Sequence, residues 1–271
     1  MPFNDLWPNG CAGAVSVTFD DGSERQQTRG APALAERGLC GTFYVTMAAQ
    51  KHREAYKGWI DIAAKGHEIG NHTCSHLCSC NFSDKPDVQG LENISLAYLK
   101  ADILAAEAKL RDLVPEQKER TFAYPCYQTW VGRGARRQSY VPLIATHFVA
   151  GRGGGEYGFF NNPLHIDLAC AVGTPTERMS CTEMIGLVEL AMRRGHWIIL
   201  VFHEIGAGRL GTSEYDFQLV LDHLADNKKR IWTAPSVEVA RKIRDYQNKF
   251  WGRPSTPPPA KKPSPRKNAA G

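Results

Sequence analysis

Two adjacent carboxylates stand in the run Thr18-Phe19-Asp20-Asp21-Gly22, and about fifty residues later two histidines stand in His72-Thr73-Cys74-Ser75-His76. Imidazoles four residues apart fall on one face of a helical turn, a spacing that lets both reach one divalent ion, and an Asp supplies a third ligand. The neighbouring carboxylate is then free to act as a base toward a water activated by that ion, the minimum equipment for metal-assisted hydrolysis. Each patch alone has a plainer explanation. Asp-Asp-Gly is commonly a turn, because Asp bonds its own backbone and Gly takes positive φ, and paired histidines can be satisfied by backbone partners. The coincidence of the two points to a site, joined by a third histidine at the end of Ile198-Ile199-Leu200-Val201-Phe202-His203-Glu204.

Such groups converge only if their elements do. Residues 14–19 are rich in Val with alternating small residues and read as a strand, so the carboxylates sit where a strand stops and a loop begins. His203 ends a second apolar strand in the same way. In a barrel of parallel strands this is the catalytic end. Further strands are predicted over residues 41–45, 67–70, 121–124, 147–150, 166–172, 197–202 and 231–233, and helices over 32–37, 55–65, 96–113, 181–194, 215–226 and 237–250. Ser180 to Glu183 has the pattern of a helix start with a capping acid. Strand followed by helix, repeated, argues for a parallel sheet, and 271 residues suit one α/β barrel domain. No fixed-period repeat and no membrane-spanning apolar stretch is present.

Residues 18–22, residues 72–76 and the strand ending at His203 resemble motifs one, two and five of the polysaccharide deacetylases, the carbohydrate esterase family four group. The resemblance spans roughly residues 14–204. It implies a distorted (β/α) barrel of about seven parallel strands, a divalent metal, usually zinc, and hydrolysis of an acetyl group from a sugar. Carried over residue by residue, Asp20 is the general base, Asp21, His72 and His76 are the metal ligands, and His203 is the general acid. An Asp and two His ligands do not select strongly, so cobalt, nickel or iron would also suit. An acid that protonates an amine leaving group needs a pKa near or above neutrality.

Motif three is where the sequence departs. Thr121-Phe122-Ala123-Tyr124-Pro125-Cys126-Tyr127 occupies its place, with Ala123 where the family has Arg and Cys126 where it has Tyr. The Cys126 amide can still face an oxyanion, because a backbone donor survives a side-chain change, and Tyr124 stands beside it. The lost guanidinium would have oriented the base, so another group must position Asp20. The candidates are Gln128, Arg133, Arg136 and Arg152, and Arg133, framed by Gly132 and Gly134, is the expected one. For motif four, Asp167, near a strand expected over 165–169, is the expected partner of His203. Glu204 would point to the other side of its strand.

The net charge of +5 is local. From residue 252 onward there are five basic residues, six of the sixteen prolines and no acid, so residues 1–251, the deacetylase-like domain, carry 28 basic and 28 acidic residues. Residues 252–271 read as a disordered Pro- and Lys-rich tail. No basic stripe with interleaved aromatics is present, so no nucleic acid is expected as a partner; an acetylated oligo- or polysaccharide is. Eight cysteines include Cys74, Cys78 and Cys80 among the histidines, which raises a rival thiolate zinc cluster. The first residues lack a secretory signal, which read literally describes an intracellular, reduced protein, or else a processed mature chain. Tyr127, Trp130, Tyr140, Tyr157, Phe159 and Phe160 could line a sugar groove. Chitin oligomers, peptidoglycan and acetylated xylan all fit the class. Two other functions stay open: a hydrolase of small C–N amides on the same fold, and an inactive carbohydrate-binding module.

Overall fold

Short strands whose side chains alternate between two environments build the core. The computed structural model describes residue 3, residues 5–82 and residues 89–252. Seven parallel strands, β1 (Gly13–Phe19), β2 (Thr42–Val45), β3 (Glu68–Asn71), β4 (Phe122–Ala123), β5 (Gly151–Gly154), β6 (Ala171–Pro175) and β7 (Trp197–Phe202), pair in that order. β7 pairs back onto β1, from Ala14 opposite Trp197 to Phe19 opposite Phe202, so the sheet closes into a barrel. An eighth strand, β8 (Ile231–Thr233), runs beside the first three residues of β1, where β2, which meets β1 only at Thr18 and Phe19, leaves its edge open.

The outward residues of these strands are the large apolar ones. Val15, Val17, Phe19, Phe43, Val45, Ile69, Ile198, Leu200 and Phe202 form one layer beneath the helices, with Phe19 stacked on Phe43 at 4.6 Å. Inward positions on the other strands carry smaller or polar groups, Ala14, Ser16 and Thr18 on β1, Thr42 and Tyr44 on β2, Arg152 on β5, and Ala171 and Gly173 on β6, whereas β7 also turns Trp197, Ile199 and Val201 inward. At the N-terminal end of the barrel Glu68 is buried and accepts hydrogen bonds from Thr42 Oγ1 (2.9 Å), Thr121 N (2.7 Å), Thr121 Oγ1 (2.8 Å) and Val237 N (2.9 Å). A buried carboxylate is tolerated there because its oxygens are satisfied and one donor is a helix N-terminus.

The described α-helices of six residues or more are α1 (Ala31–Glu36), α2 (Gly58–Ala64), α3 (Leu96–Leu113), α4 (Val141–His147), α5 (Cys181–Arg194), α6 (Glu214–Asp226) and α7 (Ser236–Trp251). α3 buries Leu99, Ile103, Ala106, Leu110 and Leu113, one face at helical spacing. α5 opens with the expected capping box between Ser180 and Glu183 and ends at Gly195 with φ 72°, the left-handed cap that glycine adopts without a Cβ penalty.

Two expected strands are corrected. Residues 147–150 are the end of α4 and the approach to β5, and residues 166–172 hold a 3₁₀ turn (Leu168–Cys170) before β6. Ala171 and Val172 are strand as expected, and residues 148–150, 166 and 167 are irregular chain, while β5, Gly-Arg-Gly-Gly, carries no apolar pattern. Among the described residues no helix is long and apolar enough to cross a membrane. Apart from Gly252, the expected basic tail lies outside the described residues.

Candidate active site

The inward phase of each strand, continued past its C-terminal end, delivers the polar residues to one place. Positions 14, 16 and 18 on β1 lead to Asp20, positions 68 and 70 on β3 to His72, positions 171, 173 and 175 on β6 to Glu177, and positions 197, 199 and 201 on β7 to His203. Asp20 N donates to Phe202 O (3.0 Å), extending the β1–β7 register by one step, which makes Asp20 and His203 neighbours. Asp20, Asp21, His72, His76, Glu177 and His203 line a single cavity of about 340 Å³, together with Cys126 and Tyr127.

Asp21 Oδ1 lies 3.5 Å from His72 Nε2 and 3.2 Å from His76 Nε2, and the two Nε2 atoms are 3.1 Å apart. One ion with bonds of about 2.1 Å separates neighbouring ligand atoms by roughly 3.0 Å in octahedral and roughly 3.4 Å in tetrahedral geometry, so this triangle fits a single divalent cation. His72 Nδ1 lies 2.9 Å from the Ala123 carbonyl. A carbonyl only accepts, so the proton sits on Nδ1 and the Nε2 lone pair faces the triangle, the orientation that a ligating imidazole needs. The site favours positive charge: burial would raise the Asp21 carboxyl, but hydrogen bonds and charge from His72 and His76 hold it well below the usual carboxylate range. Burial would likewise lower His76, yet Asp21 raises it.

The histidines do not share a helical turn. His72 follows β3 directly, and the chain then folds back through Thr73 (φ 64°) and His76 (φ 47°). Asn71 Oδ1 accepts from Thr73 N (2.9 Å), Thr73 Oγ1 accepts from His76 N (2.9 Å), and Asp102 Oδ2 accepts from the amides of Cys74 and Ser75 (3.2 and 3.3 Å). Of the seven non-glycine residues with positive φ among the described residues, Asp21, Thr73, His76, Cys126 and Tyr127 belong to this region, and Arg178 adjoins Glu177. Left-handed backbone costs about 1–3 kcal/mol at each such residue, and its concentration here marks a region held in place for a purpose beyond stability. Gly22, at φ 76°, completes the Asp-Asp-Gly turn.

Asp20 is buried and paired with the Arg152 guanidinium, and Gln26 Nε2 donates to both the Asp20 carbonyl and the His203 carbonyl (2.9 Å to the latter). Arg152 is the register neighbour of Ala123 across the β4–β5 pairing. It therefore supplies a guanidinium beside the position where the deacetylase motif carries its own. A side chain at Gly173 would meet Arg152 Cδ at 2.6 Å, so that glycine keeps the path of Arg152 open. His203 Nε2 is 3.8 Å from Asp20 Oδ2, and His203 Nδ1 is 3.1 Å from Glu177 Oε1. Burial lowers the His203 pKa, but Glu177, Asp20 and Asp21 outweigh it and leave the imidazole above its usual value.

Several expected residues fall elsewhere. Arg133 is exposed and donates to Asn93 Oδ1 (3.1 Å), so Arg152 stands in its expected place. Asp167 accepts from Ala169 N (2.9 Å) and caps the turn before β6, while Glu177 is the carboxylate beside His203. Tyr124 points outward, packs on Phe122 and Tyr140, and donates to Ala169 O (2.6 Å). Of the candidate sugar-groove aromatics only Tyr127 lines the cavity; Tyr140 is in the core, Trp130 stacks under Arg137, and Tyr157 and Phe159 are exposed elsewhere. Cys78 and Cys126 are joined as a disulfide, against the expectation of reduced cysteines throughout. The loop after β3 and the turn after β4 leave neighbouring strands, which brings the two Cα atoms to 5.7 Å. Gln26 and Glu177 carried no sequence signal beyond their places after strands.

Residues 8–130 match the family model described as polysaccharide deacetylase. Two solved proteins assigned as polysaccharide deacetylases share the fold. One, from Mycobacterium smegmatis, is 16% identical with a TM-score of 0.61, covering 89% of this chain and 93% of that one. The other, from Pseudomonas aeruginosa PAO1, is 13% identical with a TM-score of 0.61, covering 89% and 94%. A family 4 acetyl xylan esterase from Clostridium thermocellum, in complex with a cobalt ion, is 16% identical with a TM-score of 0.51, covering 83% and 89%. A gellan lyase from a Bacillus species is 26% identical over 148 residues; the match takes in 55% of this chain and only 5% of that much longer protein. The match over residues 8–130, just under half of the chain, and the seven-stranded barrel that contains it are what this chain shares with the polysaccharide deacetylases.

Proposed function

We propose that the protein is a metal-dependent hydrolase that removes acetyl groups from a carbohydrate such as chitin oligomers, peptidoglycan or xylan, N-acetyl in preference to O-acetyl. The observation that carries this reading is the meeting, in one cavity, of a three-ligand triangle, a carboxylate fixed by a guanidinium, and a histidine backed by a second carboxylate. That the Clostridium thermocellum fold neighbour is an acetyl xylan esterase in complex with cobalt supports both the reaction and the cation.

A divalent cation held by Asp21, His72 and His76, zinc before cobalt, nickel or iron, would supply Lewis acidity, lowering the pKa of water and polarising the acetyl carbonyl. Asp20 takes the proton of the attacking water, held in one orientation by Arg152 through its side chain and by Gln26 through its backbone. The Cys126 amide, in a turn that lines the cavity, faces the oxygen that gains charge. His203 directs Nδ1 at Glu177 and so presents Nε2 to the cavity, where it delivers a proton to the departing amine or alcohol. Glu177 favours the protonated imidazole that this step needs.

Metal-reconstituted protein incubated with N-acetylglucosamine oligomers and acetylated xylan should release acetate. Asp20→Asn should abolish release while keeping the metal, and His72→Ala should lose the metal itself. Near-normal release by Asp20→Asn would overturn the base assignment; a metal-loaded protein that cleaves cyclic amides and no acetylated sugar would overturn the substrate class.

A further inference from the structure

We infer that Cys78 and Cys126 are a redox-controlled second metal site that shares His76 with the first. Cys78 follows His76 by two residues, and Cys126 stands at the left-handed corner after β4, so their disulfide ties the loop of one ligand to the turn that faces the reacting oxygen. His76 has a nitrogen toward each set. Its Nε2 faces Asp21 and His72, and its Nδ1 lies 3.8 Å from Cys78 Sγ. The ligand atoms of His76, Cys78 and Cys126 lie within 4.8 Å of one another, as do those of Asp21, His72 and His76. The described residues thus hold two three-residue ligand sets with one histidine in common, one of nitrogen and oxygen, the other dominated by sulfur.

The disulfide decides which set is open. Bonded to each other, the two sulfurs are not thiolates and do not compete for a cation. Both cysteines are half-buried rather than sealed, so a small dithiol can reach them. Exchange with that dithiol breaks the S–S bond, leaves two thiols on the protein and closes the reductant into its own disulfide, so two electrons and two protons are transferred. The freed sulfurs then bind a thiophilic ion, each releasing its proton to solvent, and His76, whose neutral ring has a single lone pair, gives it to this ion through Nδ1 and carries its proton on Nε2. Reduction would therefore take a ligand from the hydrolytic centre as well as release its loop. The proposal rests on the function proposed above only for the role of the first ligand set.

Cobalt(II) added to the full-length protein reads this directly, because thiolate ligands give a charge-transfer absorption that imidazole and carboxylate do not. Protein treated with a mild oxidant, its disulfide mapped by mass spectrometry, is expected to bind one cobalt without that band. Protein reduced by a dithiol and freed of it should show the band and release acetate at least tenfold more slowly. Cys78→Ser and Cys126→Ser should each abolish the band, and Cys80→Ser should keep it. The proposal is overturned if the reduced protein lacks the band with both thiols mapped as free, if the band survives Cys78→Ser, or if oxidation never forms the bond. The oxidised and reduced forms of the unmodified protein decide even where a serine variant misfolds. Absence of cobalt from the oxidised protein alone, with the band present on reduction, would refute the Asp21, His72 and His76 set while supporting this one.

Discussion

Arg152→Met tests the central electrostatic element of the site. The substitution keeps much of the side-chain length and removes the charge, leaving the Asp20 carboxylate, only 3% exposed, without its partner. Removing one member of a buried ion pair costs about 3–5 kcal/mol, because the remaining charge cannot return to water. The guanidinium is not optimally satisfied either: among the described residues its Nε and Nη1 have no hydrogen-bond partner, and it sits over the faces of Tyr44 (5.1 Å) and Tyr127 (5.4 Å). Each orphaned buried donor costs about 1–3 kcal/mol, so the pair as a whole contributes little net stability and is kept for the orientation of Asp20. Urea denaturation should therefore show Arg152→Met destabilised by about 3 kcal/mol or more, and Asp20→Asn with Arg152→Met together clearly milder than Arg152→Met alone. Acetate release by Arg152→Met should fall on the order of a hundredfold, the effect of a misplaced catalytic group, with metal content unchanged. A loss below about 1 kcal/mol with turnover kept would refute the reasoning.

Three further expectations follow from neighbouring groups. In Glu177→Gln, His203 loses the nearest negative charge and its pKa falls, so the alkaline limb of the kcat–pH profile, where the proton donor is lost, should move to lower pH; an unmoved limb would separate Glu177 from His203. His67 is pushed down to about 4 by burial, aided by Lys65, from an ordinary 6.5, so between those pH values the unfolded chain binds the extra proton. Stability should thus be fully present above about pH 6.5 and decline as pH falls toward 4, by about 3 kcal/mol from this residue, and His67→Gln should flatten that part of the denaturation profile. Gly173→Ala places a Cβ 2.6 Å from Arg152 Cδ and 2.8 Å from the Gly153 carbonyl, so it should cost about 1–3 kcal/mol in denaturation and lower turnover by moving Arg152.

The parts of this site readable in the sequence are those carried by strongly patterned strands. Val15 to Phe19 and Ile198 to Phe202 announce themselves by composition, and their ends mark Asp20 and His203. What stayed hidden depends on register between strands, which no single segment contains. Arg152 lies on Gly-Arg-Gly-Gly, a strand with no apolar rhythm because a Cβ at Gly151 would meet the Ala169 carbonyl, Ile144 and Tyr124, and one at Gly154 would meet Tyr127. Glu177 was missed for a related reason: expecting the strand over residues 166–172 ended it before Pro175, and only the phase 171, 173, 175, 177 aims that carboxylate inward. The Cys78–Cys126 pairing spans 48 residues of sequence, and cysteine spacing alone does not determine connectivity.

The relocation of the guanidinium follows from the geometry of a closed parallel barrel. An inward side chain there is specified by its height and phase more than by the strand that bears it, because parallel neighbours present their residues side by side at strand spacing. Ala123 and Arg152 are such neighbours, so exchanging a small residue and an arginine between them moves the origin of the side chain by one strand and leaves its head within reach of Asp20. The exchange makes a new demand on β6, the other neighbour of β5, where the longer path needs a residue without a side chain; Gly173 meets it. A departure from the deacetylase motif at Ala123 is therefore not by itself a sign of a lost active site. The residues that must be read with it are Arg152 and Gly173, since only all three together determine whether Asp20 keeps its cation.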